Sequence, residues 1–341
     1  MSCEKVARRG FLLASALAGP AAAAAACGAN RPPATPTLAP SSTSSPTVEP
    51  SPTSTPAPLL IEKRSLAETG WELSVVGFGG IVVMSETDET AKQYVARAIA
   101  RGINYFDVAP SYGDAQNRLG PALEPYRKDV FLSCKTESRT KAGAEGALKR
   151  SLELLRTDHV DLYQFHAVTS ERDVEQIMAE DGAMRAFLEA RDKGLIGLIG
   201  FSAHSESAAL DLMARFSFDT ILYPVNWACW QQGGFGPQVV RRAADRGMGI
   251  LALKSLARGQ WQPGEEKKWY KCWYAPLDDP RLVSLALRFT LSKSVTAAVS
   301  PSHAELLWLA CDVPDKLAPL SEGEENELRS ALGEVKPVFT A

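Results

Sequence analysis

Four side chains in the first half of the chain could move a proton together: Asp107, Tyr112, Lys135 and His166. Three of them end successive runs of β character, Ile103–Val108, Asp129–Lys135 and Val160–His166, and Tyr112 follows the first run closely. If these runs are neighbouring parallel strands, their carboxyl ends meet on one face, where barrel active sites are built. A buried lysine beside an aspartate stays charged, and a cation beside a phenol pulls its pKa down from about 10. A tyrosine so placed can give a proton to a carbonyl oxygen. Singly, each residue has an ordinary explanation. Aspartate after a strand usually caps a turn, and lysine is usually solvated. Histidine is more often a hydrogen-bonded core residue, and tyrosine packs. As a set on consecutive strand ends they resist that explanation. A lysine in a barrel mouth is costly unless paired, and Asp107 is the available partner.

The rest of the body supplies elements that could hold such a set. Strand candidates recur at Leu73–Gly79, Ile103–Val108, Asp129–Lys135, Val160–His166, Ile196–Ala203, Thr220–Asn226, Gly249–Ser255 and Val295–Ser300. Helical patterns lie between them. Ala91, Tyr94, Val95, Ala98 and Ile99 fall at the spacing of one buried helix face, as do Leu148, Leu152 and Leu155. Eight β-then-α units in about 250 residues predict a (β/α)8 TIM barrel. A doubly wound sheet is disfavoured. It would carry a glycine-rich phosphate loop after its first strand, and Gly77-Phe78-Gly79-Gly80 lacks the required spacing. Glu322–Gly333 reads as a terminal helix.

Four segments carry a family resemblance. They are Gly102-Ile103-Asn104-Tyr105-Phe106-Asp107-Val108-Ala109-Pro110-Ser111-Tyr112-Gly113, Phe131-Leu132-Ser133-Cys134-Lys135, Val160-Asp161-Leu162-Tyr163-Gln164-Phe165-His166 and Ile199-Gly200-Phe201-Ser202. In this order and at these separations they resemble the aldo-keto reductase family, over roughly residues 60–312. The resemblance implies that Tyr112 is the general acid in carbonyl reduction and the base in reverse. Lys135 would lower its pKa, Asp107 would hold Lys135, and His166 would orient the carbonyl of a small-molecule substrate. It also implies a hairpin over Leu59–Trp71 closing the barrel floor.

No side chain supplies hydride. The family uses a nicotinamide cofactor, usually NADP, with NAD as the alternative. Ser202 matches the serine that contacts the carboxamide, but Ala203 stands where the family has Asn, and His204 follows. The phosphate-gripping turn matches at Lys254-Ser255-Leu256-Ala257-Arg258-Gly259, with Ser255 where Pro is usual. After the eighth strand, Ser300 and Ser302 match the last cofactor loop. A basic residue is common there for the 2′-phosphate; this chain offers His303, with Arg258 as the other cation. The departures raise a second reading, a non-catalytic exported barrel that binds a ligand.

Trp227, Trp230, Trp261, Trp269, Tyr270, Trp273 and Tyr274 crowd the region after strands six and seven, where they could line a substrate pocket or cover outer helices. No histidine spacing predicts a metal site, and Cys134, Cys229, Cys272 and Cys311 show no close pairing. A net charge of −3 gives no reason to expect nucleic-acid binding.

The amino terminus reads as an address. Arg8-Arg9 precede an apolar run from Phe11 to Ala26, shorter than the roughly 20 residues of a membrane span. The pattern resembles a twin-arginine signal. Cys27 follows three alanines and resembles a lipoprotein cleavage site, although Ala24 stands where Leu is usual. The division predicted is signal and lipidation site at 1–27, unfolded Pro/Ser/Thr-rich spacer at 28–58, and barrel at 59–341. The expectation is an exported protein, lipid-anchored outside the cytoplasmic membrane.

Overall fold

The computed structural model describes residues 60–313, 317–333 and 335–341. The signal, lipidation site and spacer expected over residues 1–58 lie outside them. The body opens with a hairpin, β1 (Lys63–Ser65) antiparallel to β2 (Glu72–Ser74). The hairpin therefore extends beyond Trp71. Leu73 and Ser74, expected in the first barrel strand, belong to it instead. Leu66 and Leu73 are fully buried, and the Trp71 ring stands edge-on to Phe131 at 5.1 Å, so the hairpin plugs the barrel floor.

The barrel strands and the helices that cover them alternate along the chain. β3 (Val76–Gly79) leads to α1 (Asp88–Ala100), β4 (Tyr105–Asp107) to α2 (Ala115–Leu123), and β5 (Phe131–Thr136) to α3 (Lys141–Leu155). β6 (Val160–Val168) precedes two helices, α4 (Glu171–Met178) and α5 (Ala183–Asp192). β7 (Ile196–Ala203) leads to α6 (Glu206–Arg215), and β8 (Thr220–Pro224) to α7 (Trp227–Gln231) and α8 (Pro237–Asp245). After β9 (Gly249–Leu253), β10 (Ala257–Gly259) and β11 (Ala275–Pro276) pair antiparallel outside the barrel. Then follow α9 (Pro280–Leu291), β12 (Ala297–Val299), α10 (Ala304–Cys311) and α11 (Glu322–Leu332). The parallel strands close in the order β12-β3-β4-β5-β6-β7-β8-β9. Each run expected from the sequence carries a barrel strand, with ends that differ by a few residues.

Local chemistry sets the helix starts. Thr87 caps α1 by accepting from the Thr90 amide, and Thr140 caps α3 by accepting from Gly143. Ala91, Val95 and Ala98 then bury one face of α1, and Leu148 and Leu155 one face of α3. These faces meet the outward residues of the strands.

Inside the barrel the two-residue strand period builds layers. Tyr105 pairs with Phe131 across β4 and β5, and both belong to the apolar interior with Leu162 and Leu222. Two residues further on, Asp107 pairs with Ser133; one layer above, Lys135 pairs with Gln164. The same alternation that fills the lower barrel with carbon therefore delivers polar side chains to its carboxyl-end mouth.

Helices α2 and α3 approach through Gly120. A Cβ there would meet the Leu154 carbonyl oxygen at 2.2 Å and Leu155 Cα at 2.8 Å. Gly120→Ala must push the helices apart and should cost about 1–3 kcal/mol by overpacking. Gly146 of α3 has nothing within 4 Å of its Cβ position, so Gly146→Ala should instead stabilise by up to about 1 kcal/mol. Urea unfolding of both variants checks the sign of each effect.

Candidate active site

Lys135 is the centre of the mouth. Its side chain is fully buried, as is Asp107, and the ammonium donates to Asp107 Oδ1 and to the Val108 carbonyl at 3.3 Å. Tyr105, one layer below, donates its hydroxyl to Asp107 Oδ2 at 3.3 Å. Burial alone would push the Lys135 pKa down. The charges of Asp107 and Tyr112 more than offset it, so Lys135 is raised and stays protonated.

Tyr112 sits above this pair, with the Lys135 ammonium 5.2 Å from its ring centre. Lys135 pulls the phenol down, as the sequence predicts, but the net shift is upward. Burial dominates, Lys135 pulls down by charge and hydrogen bonding, Asp107 pushes back, and the phenol ends above its ordinary value. Asp107 cancels much of the cation that the phenol would otherwise feel. Tyr112 therefore holds its proton at neutral pH.

His166 reaches the mouth through a bulge. The β6–β7 register shifts between Phe165 and Val168, and Ala167 takes a left-handed φ of 52°. Arg139 donates to the His166 carbonyl at 2.8 Å, and the Ala167 amide donates to Ser202 Oγ at 2.8 Å. Bulges of this kind re-aim a side chain beside active sites. The His166 ring stands edge-on to Tyr112 at 5.7 Å, and its Nδ1 lies 3.2 Å from Ser111 Oγ. Burial, followed by Lys135, Lys254 and Arg139, lowers its pKa to about 3, so the imidazole is neutral.

The remaining sequence-predicted residues sort differently. Ser202 is buried beside the bulge that its hydroxyl holds. Lys254, just past β9 and itself at φ 62°, lies 3.2 Å from His204 Nε2. Ser255, Leu256 and Gly259 are buried in the turn, and Arg258 is ion-paired with Glu265. Ser300 Oγ accepts from the Gly79 amide at 3.0 Å and so ties β12 to β3, while Ser302 is buried against Cys272.

The aromatic residues divide. Trp227 and Trp230 stand edge-on to Phe289 of α9, so they cover an outer helix. The segment 260–274 instead straps the loop after β12. The Lys271 amide donates to His303 Nε2 at 3.1 Å, and Lys271 Nζ pairs with Glu86 at 2.7 Å. Trp269 and Tyr270 present their edges to the His303 ring.

Sequence reading missed Phe339. It lies flat on His204 at 5.0 Å, stacks on Phe235 at 5.3 Å, and is 5.4 Å from Lys254 Nζ. A lone aromatic past the last helix carries no local signal of such a contact. A groove of about 1610 Å³ runs on the outside of the barrel between α3 and α5 and touches none of the four mouth residues.

The sequence pattern described as "Aldo/keto reductase family" matches residues 75–273, which include all four. The chain belongs to the aldo/keto reductase family. Membership places it among NAD(P)H-dependent oxidoreductases. It is 32% identical over 157 residues to the uncharacterized oxidoreductase YqkF of Bacillus subtilis, covering 42% of this chain and 49% of that protein. It thus spans about half the length of that relative. It is 27% identical over 313 residues to an L-galactose dehydrogenase of Arabidopsis thaliana, covering 82% and 94% of the two chains. The solved aldo-keto reductase AKR11C1 of Bacillus halodurans, in its holo form, shares the fold. It has a TM-score of 0.63 at 22% identity, over 81% of this chain and 98% of that one.

The turn after β9 suits the diphosphate of the family's dinucleotide. Lys254 has no carboxylate partner among the described residues, and its ammonium is covered by the rings of Trp273 and Phe339. A sheltered cation without an acid is prepared for an anion.

Burial and the nearby Lys135, opposed only in part by Cys229, lower the Lys254 pKa to about 7. The unfolded chain holds this proton up to about pH 10.5, the ordinary lysine value; the folded chain loses it near 7. Stability therefore rises with pH between those values. Lys254→Met should be more stable than wild type below pH 7, with an advantage that shrinks as pH climbs towards 10. Urea midpoints of both proteins at pH 6, 8 and 9.5 check it.

Proposed function

We propose that Tyr112 is the general acid with which this reductase protonates a substrate carbonyl oxygen, and the base in the reverse direction. The observation that carries the proposal is the buried Lys135–Asp107 pair beneath a phenol that keeps its proton. Tyr112 is stored as the acid. When it gives its proton to the oxygen, a phenolate forms next to a permanent ammonium. The cation thus acts mainly where charge develops, which lowers a barrier more than uniform binding would. Asp107 fixes Lys135 in place. Neutral His166, aimed by the bulge and held at Nδ1 by Ser111, orients the carbonyl through its other ring nitrogen. The nicotinamide dinucleotide, when bound, supplies hydride. In this proposal Ser202 and the turn from Lys254 to Gly259 hold it, and Ser300 contributes by fixing the strands beside it.

Tyr112→Phe should cut carbonyl reduction by roughly 10²–10⁴-fold, the usual loss for a general acid. Dinucleotide affinity, read by fluorescence titration, should stay near that of the wild type. Full activity in this variant, with any aldehyde the wild type reduces, would remove Tyr112 from the mechanism. If the wild type binds dinucleotide but turns over no carbonyl compound, the non-catalytic reading replaces this one.

The proposal extends to location. Arg8-Arg9, the apolar run to Ala26 and Cys27 support export by the twin-arginine route, followed by lipidation at Cys27. That route carries folded cargo, so the barrel could take up its dinucleotide before export. In fractionated cells the wild type should pellet with membranes, and Cys27→Ala should move into the soluble exported pool. Wild type found soluble in the cytoplasm with residues 1–26 intact would end the export reading.

A further inference from the structure

We infer that this reductase favours the unphosphorylated dinucleotide, and that Glu265 sets the preference by occupying the guanidinium of Arg258. The inference rests on the reading that a dinucleotide lies along the turn 254–259 and the loop after β12. A 2′-phosphate is a dianion for most of its population at neutral pH, and it binds through charge-assisted hydrogen bonds from cations with free N–H groups. The loops bordering that region carry several cations, and their partners can be read one by one.

Arg258 is ion-paired with Glu265 Oε1, and the other carboxylate oxygen of Glu265 accepts from the Gln262 amide at 2.9 Å. The carboxylate is therefore fixed by backbone as well as by charge. That backbone hydrogen bond first, and Arg258 after it, hold the Glu265 pKa below the usual carboxylate value, so it is ionised at neutral pH. Lys268 pairs with Asp278 at 2.9 Å. Lys271 is buried and pairs with Glu86 at 2.7 Å. His303 accepts at Nε2 from the Lys271 amide, which fixes it as an acceptor, and burial and Lys271 lower its pKa. Lys267 is exposed, a solvated charge that contributes little to a specific contact. Lys254 also has no acid partner among the described residues, and it lies 3.2 Å from His204 Nε2 at the mouth.

A phosphate arriving at Arg258 must displace a carboxylate that the backbone holds, or lie against it. Both are unfavourable for a dianion. A ribose 2′-hydroxyl meets the same carboxylate as a hydrogen-bond acceptor, which is how acidic residues select the unphosphorylated form in dinucleotide sites generally. Glu265 thus acts by repelling one form and receiving the other. It is a specificity-determining residue and touches no reacting atom.

The test is equilibrium binding of NADH and NADPH to the purified chain, followed by tryptophan fluorescence and calorimetry, with no turnover required. Wild type should bind NADH about tenfold or more tightly than NADPH. Glu265→Gln keeps the side chain's size and removes its charge. It should tighten NADPH by about tenfold and leave NADH within about threefold. Adding Arg258→Met to Glu265→Gln should abolish the gain, because the freed guanidinium is its source. The inference is overturned if wild type prefers NADPH, or if Glu265→Gln leaves the ratio of the two affinities unchanged. Failure of the folded wild type to bind either form would overturn the oxidoreductase reading along with it, whereas binding with the opposite preference overturns this inference alone.

Discussion

The structure depends on a buried ion pair. Lys135 and Asp107 sit in the barrel with essentially no access to water. Taking two charges out of water costs several kcal/mol per ion, and the pair persists only if its geometry and remaining hydrogen bonds are satisfied. Here the Val108 carbonyl accepts a second hydrogen bond from Lys135, and the Tyr105 hydroxyl donates to the second oxygen of Asp107. Those contacts require β4 and β5 to be in register to the residue. A slip by one would turn Lys135 into the apolar layer outside the barrel. The closed sheet is the part of a protein best able to hold such a requirement, since its edges are already paired.

The pair also explains the electrostatics around it. Asp107 is committed to Lys135 and to the Tyr105 hydroxyl. The other basic groups of the mouth, His166 and Lys254, feel Lys135 as a like charge and are buried as well, so both are pushed towards neutrality. Tyr112 feels cation and anion together and keeps its proton. Lys135 is thus the permanent cation, Tyr112 a phenol with its proton, and His166 a neutral imidazole. This is a suitable starting state for delivering a proton to a carbonyl oxygen.

Around that centre, segments outside the barrel close in. His204, just past β7, turns to Lys254. Lys254 in turn lies under Trp273 and Phe339, contributed by the strap after β9 and by the chain's last residues. The Lys336 carbonyl accepts from the Gln260 amide, so the tail is fastened to the strap. The barrel fixes the four mouth residues, and two segments outside it cover the neighbouring Lys254.

Much of this was legible in the sequence. Period-two strand runs, helices with one buried face and capping residues are local properties, and they specified a barrel whose eight strands lie where expected. The four mouth residues were legible because strand ends in a parallel barrel share a face. Where reading failed, the deciding quantity was not local. The floor hairpin reached Ser74 because Leu73 is apolar in either assignment, and only strand pairing says which sheet it joins. The Tyr112 pKa went up because burial outweighed the cation, and the depth of that burial is set by segments distant in the chain. Trp227 and Trp230 face an outer helix, and Phe339 reaches His204, by packing that no spacing encodes. Arg258 is a free cation on paper and a paired one in space. Local patterns in the chain were enough to specify the elements and to single out the four mouth residues. Tertiary structure decided their protonation states and their neighbours, since electrostatics and packing depend on which distant residues share a volume.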